Sequence, residues 1–199
     1  MQVLVNGAPA PLLFVSDSQV NFQCPLLAPG SPLQISVEGE DGASTALGES
    51  AMQAAAPSLF TVDSTSSQGV VLIGTTNEIA MPKTNGLASR PARKGEFVTL
   101  YANGLGEVTA GVPVGTPAPA DRLVSLSNKV SLMVGGVEIE PAFAGLASGT
   151  AGLFQVNVKI PQNVPFGPAI PLYIKVVLAD GSVVASNTVS IAIDGLSAQ

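Results

Sequence analysis

The chain has 199 residues, of which 46% are hydrophobic and only 11% charged, with a net charge of −6 and a pI near 4.4. That is enough for one large or two small domains with ample core, and the charged fraction lies well below the roughly 25% of an average soluble domain. Its eight basic residues cluster only at Arg90, Arg93 and Lys94, which argues against nucleic-acid binding. Histidine is absent, which rules out His-dependent triads and zinc catalysis, and no run of 18 apolar residues exists to span a membrane.

Met1 leads straight into strand-like sequence with no charged or apolar leader, so any export signal is expected to lie outside this sequence, or there is none. Gln2-Val3-Leu4-Val5 reads as a strand, Asn6-Gly7 as its hairpin turn, and Pro11-Leu12-Leu13-Phe14 as the returning strand. Gln19-Val20-Asn21-Phe22-Gln23-Cys24 alternates polar and apolar residues and is closed by Pro25. Leu33 to Val37 alternates again, Glu40-Asp41-Gly42 turns the chain, and Ala51–Ala56 is expected as the last strand of this unit.

Val70 to Ile73 follows as a short strand. Thr75 to Lys94 reads mostly as loop, broken by Pro82, Asn85-Gly86 and Pro91. Phe97-Val98-Thr99-Leu100-Tyr101 is a strong strand ended by Asn103-Gly104-Leu105-Gly106. Gly111 to Ala120 is a proline-rich loop, long enough to be an exposed or functional excursion.

From Lys129 onward the motifs of the first 57 residues return in the same order. Gly135-Gly136 answers Asn6-Gly7, and Pro141 answers Pro11. Gln155-Val156-Asn157-Val158-Lys159-Ile160-Pro161 answers Gln19 to Pro25. Pro171 to Val176 answers Pro32 to Val37, and Asp180-Gly181 answers Asp41-Gly42. Spacing changes only within predicted loops, as expected for a structural repeat. The expected fold is therefore an all-β, antiparallel immunoglobulin-like sandwich. Residues 58–194 form the complete module, with about seven to nine strands. Residues 1–57 are an incomplete module, and 195–199 a tail.

A half-sandwich leaves one sheet short, with open edge groups. Residues 1–57 are accordingly expected to be completed by residues 58–81 folding back, by a second chain in a homodimer, or by upstream domains, and to pack against the second module or a neighbouring chain.

Several stretches in fixed order carry a family resemblance. They are Ala56-Pro57-Ser58-Leu59-Phe60, Gly95 to Gly106 (GEFVTLYANGLG), Gly135-Gly136, Gly152 to Pro161 (GLFQVNVKIP) and Asp180-Gly181. Together they resemble the Solibacter-type uncharacterised C-terminal domain of large exported acidobacterial proteins, well over 56–194 and as a partial copy over 1–55. The resemblance implies an exported, extracellular or cell-surface immunoglobulin-like architecture, and no reaction.

Chemistry is sparse. Cys24, on the face of Val20 and Phe22, reads as a small core residue rather than a nucleophile. Asn21 and Asn157, beside Gln19 and Gln155, are expected to satisfy loop backbone or face water. Asn103 to Gly106 leads to no helix and so forms no phosphate cradle. Glu38, Glu40 and Asp41 could offer oxygens to calcium, but match no calcium loop and read as a solvated turn. Glu138 and Glu140 alternate on one strand and lack a visible partner for paired-carboxylate chemistry. Tyr101 and Tyr173 are the only residues besides phenylalanine that could stack on sugar. No catalytic, cofactor-binding or metal-binding residue is expected. The chain reads as a non-catalytic structural or adhesive module, or alternatively as one binding a polysaccharide or a surface protein.

Overall fold

A computed structural model of the chain describes residues 1–39, 43–109 and 111–197; the acidic positions Glu40 and Asp41 lie outside the described residues. Strand β1 (Gln2–Val5) turns at Asn6-Gly7 into β2 (Ala8–Ala10). Both turn residues have positive φ, 52° and 78°, the mirror-image turn whose twist suits a hairpin. Such a tight turn brings Ala8 directly opposite Val5. The returning strand is thus Ala8–Ala10, and not the expected Pro11 to Phe14. Instead β3 (Leu12–Val15) crosses over and pairs with β4 (Val20–Phe22) in a separate two-stranded sheet.

Next, β5 (Pro32–Glu38) pairs with β1, and β6 (Ser44–Ala51) with β5, giving the order β2-β1-β5-β6. The last strand of this unit therefore precedes the expected Ala51–Ala56. Every side chain of β6 is exposed, so no apolar alternation marks it; only its backbone ladder to β5 defines it. Val3, Val5, Ala10 and Leu33 form a small buried core, against which Val20, Phe22, Cys24, Ile35 and Val37 pack while half-buried.

The rest of the chain supplies β7 (Ser58–Leu59), β8 (Val71–Ile73), β9 (Ile79–Ala80), β10 (Ser89–Arg90), β11 (Ala92–Lys94), β12 (Phe97–Asn103), β13 (Lys129–Val134), β14 (Val137–Ile139), β15 (Phe143–Leu146), β16 (Phe154–Lys159), β17 (Gly167–Val177), β18 (Val183–Ala185) and β19 (Val189–Ser197). One sheet runs β10-β9-β8-β12-β16-β15, with β7 also on β12. The other runs β11-β19-β17-β13-β14, with β18 also on β17. A single core lies between them. Ile73, Val98, Leu100, Val156, Val158 and Ile160 come from the first sheet, and Leu132, Val134, Leu172, Ile174, Val176 and Ile191 from the second. The architecture is all-β and sandwich-like, with no helix among the described residues. Strict alternation explains it: β12 and β16 each bury every second residue.

Three further expectations change. Residues 58–81 do not fold back onto the first unit, because β7 and β8 pair with β12. Thr75 to Lys94 contains β9, β10 and β11, pieces too short to show a period. β19 runs on to Ser197, through the start of the expected tail.

Pro168 and Pro171 sit inside β17, although proline is disfavoured within a sheet. The register resolves this for Pro171. Its carbonyl accepts from Gly135 N–H (2.8 Å) at the turn that ends β13, and β13 pairs with β17 only from Leu172 onward. The missing N–H thus falls beyond the neighbouring strand.

Pairings in the two units run in step at the hairpin and at the outer strand, whereas the central pair differs by two residues: Val134 faces Leu172, but Val5 faces Ile35. Val3 faces Ala10 and Val5 faces Ala8; Leu132 faces Ile139 and Val134 faces Val137. Leu33 faces Ser50 and Val37 faces Thr45; Leu172 faces Val189 and Val176 faces Val184.

Candidate interaction surface

Several side chains that could carry chemistry are taken up by contacts within the fold. Arg90 clamps two carboxylates. Its Nε meets Glu78 Oε2 at 3.0 Å, and its Nη2 and Nη1 meet the two oxygens of Glu96 at 2.7 and 3.0 Å. Arg93 N–H adds a bond to Glu96 Oε2 at 2.7 Å. This bidentate, largely buried arrangement ties the turn before β12 to β9 and β10. Lys94 donates to Gln162 O (3.0 Å) and lies over the Phe166 ring. Of the one basic cluster in the sequence, the Arg90 and Lys94 side chains are thus held in local contacts.

Burial pushes the Glu96 carboxyl up, but Arg90 and the Arg93 N–H pull it further down, to below its ordinary 4.5. A carboxylate depressed in this way contributes stability that is fully present above about pH 4.5 and is lost as pH falls through its lower folded value. Glu96→Gln should cost roughly 1.5–3 kcal/mol at pH 7. The gap to the unmodified chain should narrow at pH 3. Urea midpoints at the two pH values check this; a gap independent of pH would show that the clamp is not ionic.

Glu138 accepts from Ser131 Oγ (2.7 Å) and Lys175 Nζ (3.0 Å), which hold its carboxyl below the ordinary range. Glu140 lies in a shallow depression with Asn128, Lys129 and Phe143, and is the one carboxylate there. Glu138 and Glu140 thus sit in separate surroundings. Among the described residues no group of three or more His, Cys, Asp or Glu side chains could hold a metal ion. Glu38 bonds Gln2 Nε2.

Cys24 is half-buried beside the small core, and burial pushes its thiol up. Of the two expected places for the paired amides, loop backbone or water, Gln19 and Asn21 take the second, and in both units the amides also form a bond along the strand face. Gln19 Nε2 donates to Asn21 Oδ1 (2.7 Å), and Gln155 Nε2 to Asn157 Oδ1 (3.0 Å). Asn157 Oδ1 also accepts from Thr99 Oγ1 (3.0 Å) on β12. Tyr101 and Tyr173 are half-buried within β12 and β17.

Two contacts fix the first unit on the second. The first is the glycine stretch after β12. Ala56 N–H donates to Gly104 O (2.8 Å), and Leu105 is fully buried in the core that includes Ala55. The stretch from Asn103 to Gly106 thus seats the connector between units. The second is the proline-rich loop. Ala118 is pinned to Gly149 and Thr150 by backbone bonds of 2.9 Å each, and Gly115 N–H donates to Gln23 Oε1 (2.7 Å) beside Pro11. Neither contact is visible in the local pattern, because each joins distant segments.

What remains open is the far edge of β4. Gln19 O accepts from Ser16 N–H (2.8 Å) and Gln23 N–H donates to Pro11 O (2.9 Å), so the odd-numbered residues of β4 face β3. Strand alternation turns the N–H and C=O of Val20 and Phe22 the other way. No described strand pairs there. In β16 the same side is filled by β12, with Val98 opposite Val158 and Leu100 opposite Val156.

Burial registers the difference. Val156, Val158, Ile160, Ile174 and Val176 are 0% exposed. Val20, Phe22, Cys24, Ile35 and Val37 are only half-buried. All six residues of the two alternating runs thus turn toward a core as expected, but in the first unit that core lacks its cover. Leu13, Phe14 and Val15 of β3 are 46–50% exposed beside it. No family model matches the chain, and neither a curated protein nor a solved structure shows significant similarity to it.

Proposed function

We propose that the chain is a non-catalytic, immunoglobulin-like structural module of an exported or cell-surface protein, of the Solibacter-type kind. On this reading, residues 1–57 are the second half of a sandwich of the same design as residues 58–194. The observation that carries the non-catalytic reading is the use of the titratable groups. Glu78 and Glu96 share Arg90, and Glu138, Asp63 and Asp180 each take a separate neighbour, every one of these contacts serving the local fold. Catalysis needs such groups to face one reacting position. The hairpin and outer-strand pairings shared by the two units support the half-sandwich reading.

The test is a broad panel of hydrolase, transferase and redox substrates. The expected result is no turnover above background. Turnover abolished by a single substitution would overturn the proposal.

A further inference from the structure

We propose that the open edge of β4 is an acceptor for one extended strand of another polypeptide segment, laid antiparallel to β4 and alternating apolar and hydroxyl residues as β12 does. This inference rests on reading residues 1–57 as half a sandwich, and not on the absence of catalysis. The occupant's chemistry is specified within the chain itself. β12 covers the corresponding edge of β16, with Val98, Thr99 and Leu100 opposite Val158, Asn157 and Val156.

Transferred to β4, the incoming strand sets apolar residues opposite Phe22 and Val20 and a threonine opposite Asn21. Its apolar side chains then lie over Ile35 and Val37, which lack full cover. Its threonine hydroxyl meets Asn21 Oδ1, as Thr99 meets Asn157. Its backbone takes the outward N–H and C=O groups of Val20 and Phe22, the strand-addition mode of peptide recognition. Charge adds a second requirement. Residues 1–57 contain five acidic residues and no Lys or Arg, so a basic flank on the strand is favoured. A second copy of this chain does not fit, since its own β12 is already paired on both sides by β8 and β16.

The probe is a peptide of residues 93–104, which carries the β12 pattern behind Arg93-Lys94. In the folded chain Ile160 N–H donates to Glu96 O, whereas Phe97 O accepts from Gly74 N–H toward β8. Even-numbered residues of β12 therefore face the partner strand. The peptide is titrated into the full chain and amide exchange is followed by NMR. The expected result is saturable binding, with the amides of Val20 and Phe22 fast-exchanging alone and protected at least tenfold with peptide. Protection at Val156 and Val158 should not change.

N-methylation of the peptide at Val98 and Leu100 should weaken binding at least tenfold, and N-methylation at Thr99 far less. No protection at β4, or equal binding of the peptide methylated at Val98 and Leu100, overturns the inference and leaves the half-sandwich reading intact. Strong protection of the Val20 and Phe22 amides in the free monomer overturns that reading as well. If the free chain is instead a dimer paired through β4 that peptide does not dissociate, the occupant is a second copy and the inference falls.

Discussion

Gly104→Ala is expected to destabilise the chain by at least about 3 kcal/mol. Gly104 has φ of +69°, where an L-residue with a side chain costs about 1–2 kcal/mol. A Cβ there would stand 2.0 Å from Ala56 O and 2.7 Å from Ala56 C. These are backbone atoms, so no rotamer change relieves the clash, and the connector must lift away. Lifting it breaks the Ala56 N–H to Gly104 O bond and draws Ala55 out of the main core. Gly111→Ala is the control, since Gly111 has an ordinary φ and open space around it. Urea unfolding of both variants decides the matter. A Gly104→Ala variant close to the unmodified chain would show that the connector is not seated there.

The second large effect is a contrast between matched positions. Ile174 is 0% exposed and faces Leu132 in the main core. Ile174→Ala should cost about 2–5 kcal/mol, from lost burial plus the cavity left behind. Ile35 answers Ile174 in the sequence repeat; on β5 it faces Val5, and it is only half-buried. With less area withdrawn from water and solvent able to fill the gap, Ile35→Ala should cost about 1 kcal/mol. Each loss can be read from denaturant unfolding of the corresponding variant. Equal losses would mean that the groove beside β4 is already filled, and would remove the basis for strand acceptance there.

The long strands were legible because their burial is periodic. Gln155 to Lys159 alternates in sequence, and β16 buries Phe154, Val156 and Val158 while leaving the residues between them less covered. Phe97 to Tyr101 behaves alike. β6 was not legible, because neither of its faces is buried and hydrogen bonding to β5 alone makes it a strand. β9, β10 and β11 were missed for a related reason: each has two or three residues, and their order depends on long-range partners such as the Arg90 clamp. The lower burial of the first unit is seen at Val20, Phe22, Ile35 and Val37. Which backbone groups of β4 point outward was not legible, since this depends on which of its residues turn toward β3.

Two attachments on one small unit have a mechanical consequence. A single flexible connector would let the first unit swivel, and the β4 edge would sample every direction relative to the sandwich. Here the connector is seated at Gly104 and the unit is held a second time through Gln23 and Gly115. The joint behaves as a braced elbow, so force applied along the chain meets both attachments before any strand must peel. The acceptor edge is aimed before anything arrives, and a docking strand need not also freeze the orientation of the unit it joins.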